Sequence, residues 1–159
     1  MKKIGLTIGK FAPLHKGHEY LIKQALEQVD KLYILIYETD LIDFDIEQRE
    51  AWIKQIFRDD KIITIHAINP PKKYGMDNEA IDIQLEYIKK LLEKEKIKGI
   101  THFFSSEEYG IYVAKMLNAE NVIVDKERIN IPIKATYIRE NIEEYKEYLS
   151  ENVYKELIK

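Results

Sequence analysis

A chain of 159 residues is long enough for one hydrophobic core, burying roughly two-thirds of its unfolded surface, and short for two. It has no cysteine, which excludes disulfides, thiolate metal sites and a cysteine nucleophile, and its mild formal charge of -3 argues against a dedicated nucleic-acid surface. No apolar run approaches the roughly 18 residues of a membrane span, and the stretch from Met1 to Gly9 yields to Lys10 too early for a signal peptide, so a cytoplasmic protein with no membrane partner is expected.

Hydrophobic periodicity then alternates between strand and helix. Ile4, Leu6 and Ile8 form a short strand ending at Gly9, and Leu21, Ile22, Ala25, Leu26 and Val29 share one helical face after a loop through Pro13. The nearly continuous apolar run from Leu32 to Tyr37 reads as a parallel strand covered on both faces. Asp45 caps a second helix carrying Ile46, Ile53, Ile56 and Phe57, and Ile62 to Ala67 is a third strand. Pro70, Pro71 and Gly75 mark the main loop, from Asn69 to Asp77. A long amphipathic helix follows from Asn78 to Lys94, then a strand at Thr101 to Phe104, a helix near Tyr109 to Leu117 and a short strand at Val122 to Val124. The chain closes with a helical segment after Pro132, and the tail beyond Asn141 reads as a pair of amphipathic surface helices closing the core. Repeated strand, helix, strand units demand an α/β, Rossmann-like, doubly wound parallel sheet with helices on both faces, which binds ligands beyond the carboxyl ends of its strands. No linker divides the chain, so residues 1–159 are expected to form a single domain, with helices at about 142–159 packed on it.

The first cluster with chemical content is Gly9-Lys10-Phe11-Ala12-Pro13-Leu14-His15-Lys16-Gly17-His18, between the first strand and the first helix. Its backbone amides and helix N-terminus face the ligand edge, where an anion is held best. Two of the chain's four histidines, His15 and His18, stand one turn apart, and Gly17 between them leaves room for a phosphate to approach main chain. With Lys10 they can donate to one polyphosphate. Third and fourth zinc ligands are not evident.

This segment resembles the HxGH nucleotidyltransferases, whose two histidines contact ATP phosphates. Its form, Gly-Lys-Phe-x-Pro-x-His-x-Gly-His, is most similar to the NadR-type nicotinamide mononucleotide adenylyltransferases. Ile133-Lys134-Ala135-Thr136-Tyr137-Ile138-Arg139 resembles the family's second signature, Ile-Ser-x-Thr-x-Ile-Arg, with Lys134 in the place of the usual serine. Phe103-Phe104-Ser105-Ser106-Glu107-Glu108-Tyr109-Gly110 is similar to the Ser-Ser-Glu-x-Tyr-Gly segment of NadR-type enzymes, and Val124-Asp125-x-x-Arg128 to their Val-Asp-x-x-Arg stretch.

The resemblance implies transfer of AMP from ATP to nicotinamide mononucleotide, giving NAD and pyrophosphate, with Mg2+ held by the phosphates and no protein ligand to it. His18 and Lys10 would act at the transferring and bridging phosphates, His15, Thr136 and Arg139 on the β- and γ-phosphates, and Gly9 and Phe11 through main chain. Gly17, Ser105, Ser106, Glu107 and Lys134 would complete the ATP site. Arg49, Trp52 and Tyr74 are candidates for the acceptor side, although a tryptophan on a helix equally suits the core. Asp125 and Arg128 either bind the acceptor or pair with each other in their loop. A pantetheine-phosphate adenylyltransferase and a nucleotide sensor with little activity, the latter motivated by Lys134, stand as alternatives. No GxxxxGK[ST] loop occurs, so a fused ribosylnicotinamide kinase is not expected, nor is a DNA-binding segment. Relatives often form homo-oligomers, and the Tyr-rich tail could serve as the interface.

Overall fold

In a computed structural model describing residues 1–159, these periodicities resolve into five strands and six α-helices. The first half runs β1 (Ile4–Gly9), α1 (Lys16–Leu26), β2 (Lys31–Tyr37), α2 (Ile46–Ile56) and β3 (Ile62–Ala67). The second runs α3 (Asn78–Lys94), β4 (His102–Ser105), α4 (Gly110–Leu117), β5 (Glu120–Ile123), α5 (Ala135–Glu140) and α6 (Glu151–Leu157). Local chemistry explains the helix starts. Asp45 accepts from the Gln48 amide while the Gln48 side chain accepts from the Asp45 amide, both at 2.8 Å, so α2 opens on a reciprocal capping box. Asp77 caps α3 through the Ala80 amide at 3.0 Å.

The strands pair in parallel in the order β3-β2-β1-β4-β5. Succession runs outward from β1 in one direction and, from β4, in the other, which makes the carboxyl ends of β1 and β4 the topological switch point. β1 matches β2 over its whole length, from Ile4 opposite Lys31 to Gly9 opposite Ile36. Its pairing with β4 is confined to Gly5 with His102 and Leu6 with Phe103, so a crevice can open beyond.

The alternation of β2 sorts the core into two layers. Leu32, Ile34 and Ile36 face α1, α2, α5 and α6, packing with Ile22, Trp52, Ile53, Ile138 and Val153. Leu35 faces the opposite way, joining Leu6, Ile88, Leu92, Phe103 and Val113 under α3 and α4. Each such fully buried aliphatic side chain contributes roughly 1.5–3 kcal/mol. No helix is long and apolar enough to cross a membrane.

The tail departs from expectation. In place of two helices it forms one 3-10 turn, Lys146–Tyr148, and the short α6. Between them Leu149 is extended and buried, so the chain turns inward where a second helix would have kept its apolar side on the surface. Ser150 then anchors the start of α6 by donating to the Glu19 carboxylate of α1.

Candidate active site

His15 is the N-cap of α1, and His18 stands three residues on. The Gly17 and His18 amides donate to His15 Nδ1 at 3.0 and 3.3 Å, and the His15 amide donates to His18 Nδ1 at 3.1 Å. The two imidazoles therefore form a capping box in which both Nδ1 atoms are acceptors, leaving each ring its proton on Nε2. The rings stack at 3.6 Å between centroids, and Phe11 meets His18 edge-on at 4.9 Å. Burial, helped by the nearby Arg128, brings the His15 pKa down to about 4. Burial, then His15 and Arg128, holds His18 well below the usual histidine range. Both rings are neutral N–H donors at pH 7, suited to phosphate oxygens without adding ionic charge.

The second signature comes to the same place. Arg139 Nη1 donates to the Ala12 carbonyl at 2.7 Å, joining residues 127 positions apart, and its Nη2 donates to Thr136 Oγ1 at 3.2 Å. Two cavities border this junction, and a third adjoins them. One of about 350 Å³ is walled by His15, Gly17, His18, Arg128, Lys134 and Thr136. A second, also about 350 Å³, is walled by Gly9, Lys10, Phe11, His18, Ser106 and Arg139. The third, about 470 Å³, lies toward α3 and α4 and is bounded by Tyr37, Tyr74, Met76, Gln84, Phe103 and Tyr109. Gly9, Lys10 and Ser105 border both the second and third cavities, and Glu107 is the carboxylate common to all three. Lys10 is thus the cation at the boundary. Its ammonium lies 4.4 Å from the centre of the Tyr74 ring, and burial, followed by Arg139, lowers its pKa. No group of three or more His, Asp or Glu side chains is placed to hold a metal ion.

A family model described as the citrate lyase ligase C-terminal domain matches residues 5–156. The chain belongs to that family, among the HxGH nucleotidyltransferases. The trifunctional NAD biosynthesis/regulator protein NadR of Salmonella typhimurium is 34% identical over 166 residues, covering 96% of this chain and 40% of NadR. The [citrate [pro-3S]-lyase] ligase of Haemophilus influenzae is 27% identical over 139 residues, covering 87% of this chain and 38% of the ligase. This nucleotidyltransferase chain thus spans well under half the length of either relative. Its fold matches a bifunctional NMN adenylyltransferase/ADP ribose pyrophosphatase from Francisella tularensis, solved with AMP and a manganese ion, at a TM-score of 0.64 and 22% identity. That match covers 99% of this chain and 52% of the other.

Several expectations for individual residues need correction. Trp52 is fully buried, its ring against Phe44 at 5.1 Å and its Nε1 donating to Glu156 at 3.2 Å, so it packs the core and faces no ligand. Arg49 is equally buried, and its guanidinium donates to the carbonyls of Phe44, Lys10 and Tyr37. It ties the end of β2 to the loop bearing Lys10 and does not reach the acceptor side.

Asp125 accepts from the amides of Ile129, Asn130 and Ile131 at 2.9, 3.0 and 2.9 Å, which makes it a brace for its own loop at the edge of the histidine-side cavity, and it forms no ion pair with Arg128. Arg128 instead pairs with Glu107 at 3.4 Å and lies on the histidine side. Gly17 borders the histidine-side cavity, and its lack of a side chain has a further reason beyond the one expected. A Cβ there would come within 2.8 Å of His15 Cε1, so the glycine makes room for the imidazole. Lys134 is the N-cap of α5 but makes no side-chain cap, since an ammonium cannot accept from an amide.

Sequence reasoning missed Tyr37 and Gln84, and it quoted Tyr109 without assigning it a role. Gln84 left a signal: it lies on the helical face of Ile81, Leu85 and Ile88, a polar residue where the period asks for an apolar one.

Proposed function

We propose that the chain transfers AMP from ATP to nicotinamide mononucleotide, releasing pyrophosphate and forming NAD. The observation that carries this reading is the Arg139 to Ala12 hydrogen bond, which joins the two phosphate signatures at the switch point of the sheet. The similarity to NadR, whose name specifies NAD biosynthesis, supports the choice of acceptor. All 159 residues serve as one unit in this proposal, because Leu149 and Val153 of the tail complete the core behind α1 and α2.

An oxygen of the acceptor phosphate attacks the α-phosphorus, the bond to the β-phosphate breaks, and its electron pair leaves with pyrophosphate. A phosphate monoester is an adequate nucleophile at neutral pH, so the protein aligns the reactants and stabilises charge developing on the departing group. His15 and His18 donate from Nε2, Thr136 from its hydroxyl, and Arg139, Arg128 and Lys134 supply positive charge on that side. Lys10, shared by the ATP and acceptor cavities, is placed to neutralise the transferring phosphate. Mg2+ arriving on the triphosphate would neutralise phosphate charge, held by the phosphates themselves, while Glu107 at the meeting of the three cavities is paired with Arg128.

The test is pyrophosphate release with Mg2+, ATP or CTP, and a panel of nicotinamide mononucleotide, nicotinate mononucleotide and phosphopantetheine. Release with ATP and nicotinamide mononucleotide is expected. Release with phosphopantetheine alone would move the assignment to that acceptor, and tight ATP binding without release for any acceptor would make the chain a sensor.

A further inference from the structure

We infer that Gln84 is a positioning residue for Lys10: it fastens the loop of residues 68–76 so that the face of Tyr74 holds the Lys10 ammonium at the border of the phosphate and acceptor cavities. This rests on the adenylyltransferase reading and deepens it by naming what keeps a long, flexible lysine aimed at the transferring phosphate.

Gln84 is buried on the apolar face of α3, and both of its N–H groups are spent on the loop. Nε2 donates to the Pro71 and Lys73 carbonyls at 3.0 and 2.9 Å, and Oε1 accepts from Tyr37 Oη at 3.3 Å. The loop has little else to hold it. Residues 68–76 make no backbone–backbone hydrogen bond, and Pro70 and Pro71 have no amide to offer. The start of the loop is tied by Tyr87 Oη, which donates to the Ile68 carbonyl at 2.7 Å, and by the Asn69 amide, which donates to Glu38 at 2.9 Å. Beyond Asn69 the two bonds from Gln84 are the only hydrogen bonds on the loop until Asp77 caps α3. Tyr74 follows the second of them directly, and Gly75, at a φ of 129°, lets the chain turn immediately after the ring.

An aromatic face suits this duty better than a carboxylate. Lys10 Nζ lies 4.4 Å from the centre of the Tyr74 ring and makes no hydrogen bond or ion pair. The ring attracts the cation without neutralising it, and N–H donors not aimed at the ring stay free for phosphate oxygens. A competing seat is close by. Lys10 and Tyr74 also border a cavity of about 510 Å³ that carries Glu38 and Asp40, and Asp40 already acts on the ammonium through space. An ion pair there would draw Lys10 out of the phosphate cavity, and the Tyr74 face opposes it.

Proton NMR of a chain made with isotope-labelled lysine tests the seat without ATP, the Lys10 signal being the one lost in Lys10→Arg. In the wild type the ε-methylene of Lys10 is expected upfield of lysines with no ring beneath them, shielded by the Tyr74 face. Tyr74→Leu and Gln84→Met should each return it to their band. In pyrophosphate release both variants should lose about fivefold in kcat and keep KM for ATP within about twofold, since the fraction of molecules with Lys10 in place falls by what one exposed cation–π contact contributes. The double variant should lose no more than either single one, because both act on the same ring. Methionine fills the glutamine's space on an apolar face, and Tyr74→Leu, at a half-exposed position, keeps the seat testable if Gln84→Met melts early. An unshifted Lys10 signal in the wild type, a shift that survives Gln84→Met in a folded chain, or losses that multiply in the double variant would overturn the inference. The expected shifts without pyrophosphate release from the wild type would sink the adenylyltransferase reading and leave the seating of Lys10 standing.

Discussion

His15 Nδ1 accepts from the His18 amide at 3.3 Å while His18 Nδ1 accepts from the His15 amide at 3.1 Å, so each ring fixes the other's tautomer and the helix start at once. In the proposed reaction, structural and chemical duties are thus divided between the two nitrogens of one side chain: Nδ1 caps the helix, and Nε2–H is left for phosphate. The two duties can be separated. In His15→Asn the amide oxygen stands near the old Nδ1 and preserves the cap, but nothing reaches the Nε2 position. That variant should melt close to wild type and lose about a hundredfold in kcat, the usual consequence of deleting one preorganised donor. His15→Ala should lose the cap as well, at about 1 kcal/mol. Thermal melts and pyrophosphate release read the two effects, and an Asn variant with wild-type kcat would show that Nε2–H is not used.

The same burial sets a pH dependence. His15 has a folded pKa of about 4 against 6.5 in the unfolded chain, and His18 is depressed as well. Between those values the unfolded state binds more protons, so stability falls as pH drops from 6.5 toward 4 and is insensitive to these residues above about 7. Melting temperature followed from pH 8 to 4.5 should show this acid slope, and His15→Asn should flatten it. Neither histidine should produce a limb in kcat/KM between pH 6.5 and 8.

What could be read in advance was local. The apolar run of β2, covered on both faces, announced a parallel sheet, and Asp45 announced the start of α2. The histidine pair was legible because its geometry is contained within four residues. Arg49 and Trp52 were misplaced for the opposite reason. Their partners, Lys10 and Tyr37 for one and Glu156 for the other, are set by tertiary packing that no spacing encodes. The third cavity was obscure likewise, because Tyr37, Gln84 and Tyr109 come from the ends of separate elements and meet only once the sheet has formed.

The corrected roles of Arg49 and Trp52 carry their own test. Arg49→Met leaves the Phe44, Lys10 and Tyr37 carbonyls without their donor, a loss of several kcal/mol at about 1.5–3 for each bond to a charged group. It should lower the melting temperature and, by freeing the Lys10 loop, raise the KM for ATP and acceptor together. Trp52→Phe should destabilise by packing loss and leave the acceptor KM unchanged. A selective rise in acceptor KM for Trp52→Phe would restore the stacking role that burial denies it.

The junction of the two signatures yields the most direct test. Arg139 spans Ala12 and Thr136 with two nitrogens of one planar fork, so the β1–α1 loop and α5 are held at a fixed separation across the phosphate cavities. Arg139→Lys keeps the charge and loses the fork, because one ammonium cannot reproduce both bonds in that geometry. Losing one bond from a charged donor, at about 1.5–3 kcal/mol, predicts a fall of roughly ten- to a hundredfold in kcat/KM for ATP. Acceptor binding measured without ATP should be unaffected, since Arg139 does not border the tyrosine cavity. If charge alone mattered, the lysine variant would work as well as wild type in steady-state assays, and the convergence of the signatures would then be a property of the fold with no bearing on turnover.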